Sequence, residues 1–274
     1  MKTKHFIKMH GLGNDFVIFD QRVDSQEFSK EDIINISDRN KGIGCDQVIT
    51  INNMADEETE LIEFYNSNGE EVYACGNGSR CVANLLMKEK NINEIKIYTK
   101  EKRLICSRVS GDIVSIDMGK PKLDWKDIPL IEDPKNKKIQ FKIDDIILEN
   151  PKFINVGNPH IIFFVDKIDN FDIHKFGPLI ENNKLFPEKI NVSIAEIVSS
   201  SKILLNVWER GAGKTLACGT AACAASVAAI MFHKCDNKLS VSLPGGDLNI
   251  FYEINKNIIM SGKTELSYEG NFEL

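Results

Sequence analysis

The chain has 274 residues, 42% of them hydrophobic and 27% charged, which is ordinary for a globular protein with a sizeable core. Lysine and arginine total 34 against 40 acidic residues, and the net charge of −6 argues against a nucleic-acid partner. Residues 1–8 lack the apolar run of a signal peptide, and seven cysteines are an odd number for a disulfide framework. We therefore expect a cytoplasmic protein of about two domains with reduced thiols.

The pattern of apolar residues predicts similar elements in the two halves of the chain. In chain order these are strands at 16–19 and 47–51, a helix at 79–90, strands at 95–98, 161–165 and 203–207, a helix at 221–233 and a strand at 248–252. The stretch 215–232 has the length of a short membrane span. It consists largely of small residues, so we interpret it as a buried helix and expect no membrane partner. The polar, proline-containing stretch 120–138 predicts a linker.

The chain contains an internal repeat. Residues 66–76 align without a gap on residues 209–219, and the shared Ala-Cys-Gly triplets place Cys75 143 positions before Cys218. Three further anchors hold the same offset to within one residue: Gly13-Asn14 with Gly157-Asn158, Gln47 with Asn191, and residues 116–119 with 259–262. A constant offset over about 110 positions indicates duplication, which predicts an α+β fold with two similar lobes, each with short strands around one central helix.

Cys75 and Cys218 each stand immediately before a predicted helix. The unpaired N–H groups and positive dipole end of a helix N-terminus lower the pKa of a thiol and can bind a carboxylate. If the halves meet about a pseudo-twofold axis, the two sulfurs flank the α-carbon of one bound substrate. One thiolate then removes a proton while the opposite thiol supplies one, which inverts an amino-acid stereocentre without a cofactor.

Two other interpretations of the cysteines stay open at this point. A single buried cysteine is often only a small apolar residue of the core. A zinc site built from Cys75, Cys81, Cys218 and Cys223 is disfavoured, because spacings of six and five residues on a helix turn the second sulfur away from the first. We expect no metal, and a non-catalytic thiol or metal-binding module remains the rival of a different class.

The halves differ where an asymmetric substrate requires a difference. Asn66 is replaced by Glu209 and Phe16 by His160 at the aligned positions, which suggests that His160 and Glu209 set the protonation of the thiols. Arg210 is suited to a second carboxylate, which it can bind with two parallel hydrogen bonds. Neutral donors and acceptors for the charged groups of an amino acid are available from Asn14, Asn66, Asn158 and Asn191.

Six motifs, taken in order, resemble those of the diaminopimelate epimerase family over nearly the whole chain. They are MHGLGNDF at 9–16, GIGCDQ at 42–47, CGNGSRC at 75–81, GNPH at 157–160, ERGAG at 209–213 and ACGTAAC at 217–223. The piece Gly11-Leu12-Gly13 alone would suggest a dinucleotide-binding loop, but Phe16 stands where that motif needs its third glycine.

The resemblance implies conversion of LL- to meso-diaminopimelate for lysine and peptidoglycan synthesis by a homodimer that uses neither pyridoxal phosphate nor a metal. It implies two pseudo-symmetric lobes, 1–119 joined by 264–274 and 120–263, each a curved, mostly antiparallel sheet around a central helix. Cys75 and Cys218 would be the acid and base, with His160 and Glu209 as residues that tune the thiols. The reacting carboxylate would be held by Gly76, Asn77, Gly219 and Thr220. The distal end of the substrate would be bound by Asn14, Asn66, Asn158, Asn191, Glu209 and Arg210, with Gln47 lining the site.

The chain departs from the family pattern at three positions. Thr220 and Ala221 stand where the family commonly has Ser and Gly, and Lys214 stands where it commonly has an acidic residue. Thr220 keeps the hydroxyl, so we expect the chemistry to survive. The nearest rival activity is that of another racemase of the same fold, acting on proline or hydroxyproline. The second amino-acid end implied by Glu209 and Arg210 favours diaminopimelate.

Overall fold

The computed structural model describes residues 3–54, 59–73, 75–135 and 137–273. Several predictions therefore fall partly outside the described residues: Ala74 of the first Ala-Cys-Gly triplet, residue 136 of the expected linker, and residues 1–2, 55–58 and 274 of the expected first lobe.

The helices are few and the strands many, as the sequence predicts. The helices are α1 (Lys30–Ser37), α2 (Gly76–Glu89), α3 (Ile173–Glu181) and α4 (Gly219–His233), with a 3-10 turn at Ile168–Asn170. The strands are β1 (Thr3–Gly11), β2 (Asn14–Asp20), β3 (Gln47–Asn53), β4 (Glu60–Asn66), β5 (Glu71–Val72), β6 (Glu94–Thr99), β7 (Arg103–Ser110), β8 (Ile113–Gly119), β9 (Gln140–Ile143), β10 (Ile146–Glu149), β11 (Lys152–Asn155), β12 (Pro159–Phe164), β13 (Asn191–Ser199), β14 (Lys202–Glu209), β15 (Gly213–Lys214), β16 (Lys238–Leu243), β17 (Gly246–Phe251), β18 (Ile258–Lys263) and β19 (Glu265–Glu273).

The chain forms two compact units, Met1–Asp117 with Ser261–Leu274 and Met118–Met260. In the first unit, β1 and β2 are antiparallel, β2 and β3 parallel, β3 and β4 antiparallel, and β4 pairs with β6 in parallel. The C-terminal strand β19 returns to pair with β1. Helix α2 packs on β1, β2, β6 and β7, and its Asn84 donates to Asp112 (3.0 Å) and to Thr264 (2.8 Å), which ties the helix to the returning chain.

The second unit repeats this plan around α4. Strands β12 and β13 are parallel, β13 and β14 antiparallel, and β14 pairs with β16 in parallel. Helix α4 is buried on all sides from Ala221 to Ala229 because its side chains are small. It has 15 residues, and no helix in the described ranges has the length and apolarity needed to span a bilayer. The predicted linker is wrong as a description of 120–138, because Ile128 and Leu130 are buried in the core of this unit.

The strand register confirms the duplication independently of sequence similarity. In the first unit Phe16 lies opposite Gln47 between parallel strands, and in the second His160 lies opposite Asn191, an offset of 144 in both members of the pair. Tyr65 pairs with Glu71 and Trp208 with Lys214, an offset of 143 in both. The predicted α+β class and the paired lobes are therefore confirmed. Both helices begin earlier than predicted, at Gly76 and Gly219, because each cysteine serves as the N-cap.

Helix α3 packs against β14, and the glycine at position 177 allows the helix to lie close to the Trp208 side chain. A Cβ atom added at Gly177 would lie 2.4 Å from the Trp208 ring. We predict that Gly177→Ala lowers the free energy of unfolding by about 1–3 kcal/mol, because the added methyl group overpacks this contact. Urea denaturation measures the loss. Leu179→Ala on the same helix, where Leu179 is 44% exposed, serves as the control, and equal stability of both variants with the wild type would contradict the prediction.

Candidate active site

Cys75 lies at the N-terminus of α2 in the first unit. Its backbone is extended (φ −145°, ψ 109°), and its Sγ accepts the N–H of Gly78 at 3.4 Å, so the cysteine is the N-cap of the helix. The thiol is half-buried. The first N–H groups of α2, which have no acceptor within the helix, therefore lie next to the sulfur and can bind an anion there.

Two asparagine side chains lie beside Cys75. The Asn14 Oδ1 is 3.9 Å from the Cys75 Sγ and accepts from the Asn77 Nδ2 at 3.3 Å. The Asn77 Oδ1 in turn accepts from the fully buried Arg80 at 2.7 Å. The prediction that Asn14, Cys75 and Asn77 share a site agrees with these contacts. Arg80 was not predicted, although its place in the CGNGSRC motif, five residues after Cys75, was a signal.

Gln47 and Asn66 lie at the same edge of the first sheet as Asn14. Strands β2 and β3 begin at Asn14 and Gln47, and the antiparallel β4 ends at Asn66. The Gln47 Nε2 donates to the Asn66 Oδ1 at 2.9 Å. The structure thus brings the predicted polar residues of the first half, together with Gly76, into one polar edge that adjoins the N-terminus of α2.

Cys218 is the N-cap of α4 in the second unit, and its surroundings differ from those of Cys75. It is only 5% exposed, and its Sγ lies 3.4 Å from the Thr220 Oγ1. Burial raises the pKa of the Cys218 thiol well above its usual range, and the neighbouring charge of Glu209 raises it further. The expectation that the helix N-terminus gives this thiol a low pKa is therefore wrong for Cys218, because burial and the carboxylate outweigh the hydrogen bonds from the Thr220 hydroxyl and the Ala221 backbone N–H.

Glu209 lies at the end of β14 and is hydrogen-bonded to the Cys218 thiol. Its Oε1 also accepts from the Thr215 Oγ1 at 2.5 Å. Burial raises the pKa of Glu209, although these two hydrogen bonds oppose the shift. The structure therefore places Glu209 in hydrogen-bond contact with the Cys218 thiol, one of the groups whose protonation it is predicted to set. Thr215 was not predicted, because a lone threonine three residues before a cysteine carries no distinctive signal.

His160 is fully buried on β12. Burial, followed by the charge of Arg210, lowers the pKa of His160 to about 3, so the imidazole is neutral. Its Nε2 lies 2.8 Å from the Asn158 Oδ1 and carries the ring proton, since that oxygen only accepts. The hydrogen bond of His160 thus goes to Asn158 and not to Cys218 or Glu209.

Asn191 joins two segments of the second site. Its Oδ1 accepts the backbone N–H of Arg210 at 3.0 Å, and its Nδ2 donates to the Pro159 carbonyl at 2.8 Å. The Arg210 guanidinium is exposed and donates to the Glu188 carbonyl at 3.0 Å. Asn191 therefore links the backbone just before His160 to the backbone of Arg210.

Glu181 supports the same corner and was not predicted. Its buried carboxylate accepts from the Trp208 Nε1 at 2.8 Å and from the Gly211 N–H at 2.9 Å. The two acceptor oxygens clamp the chain on both sides of Glu209 and Arg210. No local signal marks this glutamate, because its partners lie about thirty residues further along the chain.

Cys81 and Cys106 are buried thiols of the core. Burial raises the pKa of Cys81 and of Cys106 to about 12, which keeps both thiols protonated. Within the described part of the chain, no three His, Cys, Asp or Glu side chains are grouped so that they could hold a metal ion.

Comparison with known proteins gives a family for this arrangement. The family model described as "Diaminopimelate epimerase" matches residues 6–123 and 152–267. The curated diaminopimelate epimerase of Pelagibacter ubique is 44% identical over 267 residues, covering 96% of each chain, and that of Afipia carboxidovorans is 39% identical, covering 98% of this chain and 94% of the relative. The chain belongs to the diaminopimelate epimerase family. The resemblance predicted from the six motifs is confirmed.

Solved structures with much lower sequence identity to this chain share its fold. A phenazine biosynthesis protein of the PhzF family from Bacillus anthracis superposes with a TM-score of 0.72 at 14% identity, and each chain is covered completely. A hydroxyproline epimerase from Agrobacterium vitis superposes with a TM-score of 0.64 at 9% identity, covering 98% of this chain and 92% of the other. The TM-scores show a common fold, and sequence identities this low carry no conclusion about the substrate.

The depressed pKa of His160 makes stability depend on pH. The pKa of His160 is near 6.5 in the unfolded chain and near 3 in the folded protein. Between these pH values the unfolded chain binds a proton at His160 and the native protein does not. Stability is therefore lost as the pH falls from 6.5 toward 3, by up to about 1.4 kcal/mol per pH unit for this one group. We predict that His160→Gln flattens the decline measured by urea denaturation. The exposed His174→Gln is the control, and a pH dependence of His160→Gln identical to the wild type would refute the assignment.

Proposed function

We propose that the protein converts LL-2,6-diaminopimelate to meso-diaminopimelate without a cofactor, with Cys75 and Cys218 as acid and base. The observation that carries the proposal is that each repeat of this epimerase-family chain places a cysteine at the N-cap of its central helix. A racemisation without an electron-sink cofactor needs two acid–base groups and fixed donors for the developing carboxylate charge. Two N-capping cysteines meet both needs.

The reacting carboxylate binds, in this proposal, to the N-termini of α2 and α4. The donors are the backbone N–H groups of Gly76, Asn77, Gly219 and Thr220, with glycine directly after each cysteine to allow close approach. One thiolate takes the α-proton, and the electron pair of the broken C–H bond moves into the carboxylate to give an enolate-like charge. The opposite thiol then donates its proton to the other face of the carbon and becomes a thiolate.

Glu209 supplies the route by which Cys218 loses its proton. The carboxylate is hydrogen-bonded to the Cys218 thiol, and the pKa values of both groups are raised by burial. Transfer of the thiol proton to Glu209 gives a thiolate beside a neutral carboxyl group and avoids two adjacent negative charges. The neutral His160, held by Asn158, completes the buried polar surroundings of this half without adding a charge.

The distal amino-acid end of diaminopimelate binds, in the same proposal, to the remaining polar residues of both halves. Arg210 is exposed and pairs with the second carboxylate. The other binding groups are Asn14, Gln47, Asn66, Asn158, Asn191 and Glu209. We further propose that the enzyme works as a homodimer in the cytoplasm and serves lysine and peptidoglycan synthesis.

The rival activity is racemisation of proline or hydroxyproline, since a hydroxyproline epimerase shares the fold. A cyclic substrate with one carboxylate leaves the Arg210 guanidinium without a partner on the substrate. That mismatch, and the curated relatives at about 40% identity, favour diaminopimelate.

The substrate is tested by hydrogen exchange. We predict that the purified protein in D₂O, without added pyridoxal phosphate or metal, incorporates deuterium at an α-carbon of LL-diaminopimelate as the meso isomer accumulates, because the returning proton comes from solvent through a thiol. Mass spectrometry and chiral chromatography measure both events. L-proline and trans-4-hydroxy-L-proline are the control substrates, and exchange of either one in place of diaminopimelate would transfer the assignment to the rival.

A further inference from the structure

We propose that Asp46 is a positioning residue that fixes the amide orientation of Asn14, so that the carbonyl oxygen of Asn14 faces the Cys75 sulfur. The geometric part of this proposal stands by itself. Its consequence for turnover rests on the proposed function, because only there does Cys75 act on a substrate.

The hydrogen bonds of the Asp46 carboxylate allow only one orientation of the Asn14 side-chain amide. The Asp46 Oδ2 accepts from the Asn14 Nδ2 at 2.9 Å and from the backbone N–H of Asp15 at 3.1 Å. A carboxylate only accepts hydrogen bonds, so the NH₂ group of Asn14 must face it. The Asn14 Oδ1 therefore turns the other way, 3.3 Å from the Asn77 Nδ2 and 3.9 Å from the Cys75 Sγ.

Asp46 is itself held by a network of charges and backbone bonds. Its N–H donates to the Asp15 carbonyl at 3.0 Å, and its Oδ1 accepts from Arg39 at 2.8 Å. Arg39 also donates to the Asp15 carboxylate at 2.7 Å, and Lys8 does so at 2.6 Å. Burial raises the pKa of Asp15, but the hydrogen bonds from Arg39 and Lys8 lower it to about 2, so this anchor stays charged.

The second repeat lacks this device. Ile190 stands 144 positions after Asp46, at the offset that relates Asn14 to Asn158. There the amide is oriented by His160, whose Nε2 lies 2.8 Å from the Asn158 Oδ1. The two repeats therefore orient equivalent amides with chemically opposite partners, an acceptor-only carboxylate and a ring N–H donor.

The orientation matters for the thiol. An oxygen acceptor beside Cys75 favours the S–H form, whereas an NH₂ group in the same place would favour the thiolate. Asp46 thus biases the protonation of Cys75 through Asn14, without touching the sulfur itself.

The test compares Asp46→Ala with Asp38→Ala. The control removes a carboxylate of the same segment, and the hydrogen-bond partners of that carboxylate are the backbone N–H groups of Asn40 and Lys41. We expect Asp46→Ala to move the pH midpoint for alkylation of Cys75 by iodoacetamide, followed by peptide mass spectrometry, to lower pH, because the amide is then free to turn its NH₂ group to the sulfur. We also expect kcat/KM to fall roughly 10-fold or more, the effect of losing one charge-assisted hydrogen bond. Asp38→Ala should change neither.

A double-mutant comparison with Asn14→Ala separates positioning from a general structural role. If Asp46 acts through Asn14, Asp46→Ala has little further effect on the alkylation midpoint once Asn14 is removed. Should Asp46→Ala fold poorly, Asp46→Leu keeps the approximate size of the side chain without an acceptor for the Asn14 NH₂ group, and it is expected to move the midpoint in the same direction. An unchanged midpoint in both variants, or an undiminished effect in the Asn14→Ala background, overturns the proposal. The alkylation result holds even if diaminopimelate proves not to be the substrate.

Discussion

A cysteine at the N-cap of a central helix is the constraint on which the rest of this structure depends. The N-cap position requires extended backbone at the cysteine and helical backbone immediately after it, and both Cys75 and Cys218 meet this requirement. Each helix must then be held rigidly, which burial achieves. Helix α2 is anchored to the returning chain through Asn84, and α4, buried from Ala221 to Ala229, packs against β11, β12, β13, β14, β16 and β17. The sheets thus serve to hold two helix N-termini, each with a sulfur and unpaired N–H groups.

The same backbone carries two different chemical environments. Cys75 is half-buried among neutral amides of Asn14 and Asn77, whereas Cys218 is buried against Glu209. Duplication therefore preserved the geometry of the cap while the side chains around it diverged. A substrate with two stereocentres and two amino-acid ends is asymmetric about its reacting carbon, and divergence of this kind provides for that asymmetry.

The sequence predicted the features that are local or periodic. Repeat offsets, strand patterns and the two helices follow from spacing, and the structure reproduces the same offsets in its strand register. Features that depend on tertiary contacts escaped prediction. The raised pKa of Cys218 results from burial that the helix N-terminus alone does not reveal. The packing of Ile128 and Leu130 contradicted a polar composition that indicated a linker. Glu181 contacts residues far along the chain, so only the fold identifies it.

The most direct test of the two-base account is turnover of LL-diaminopimelate by Cys75→Ala and Cys218→Ala, each shown to be folded by its unfolding transition. Cys235→Ala, which changes a thiol at the end of the second repeat's helix, is the control. The account predicts that kcat falls by about 10²- to 10⁴-fold in each of the first two variants, because each removes one of two obligatory proton-transfer groups. Cys235→Ala keeps its activity. Turnover near the wild-type rate in either Cys75→Ala or Cys218→Ala would contradict it.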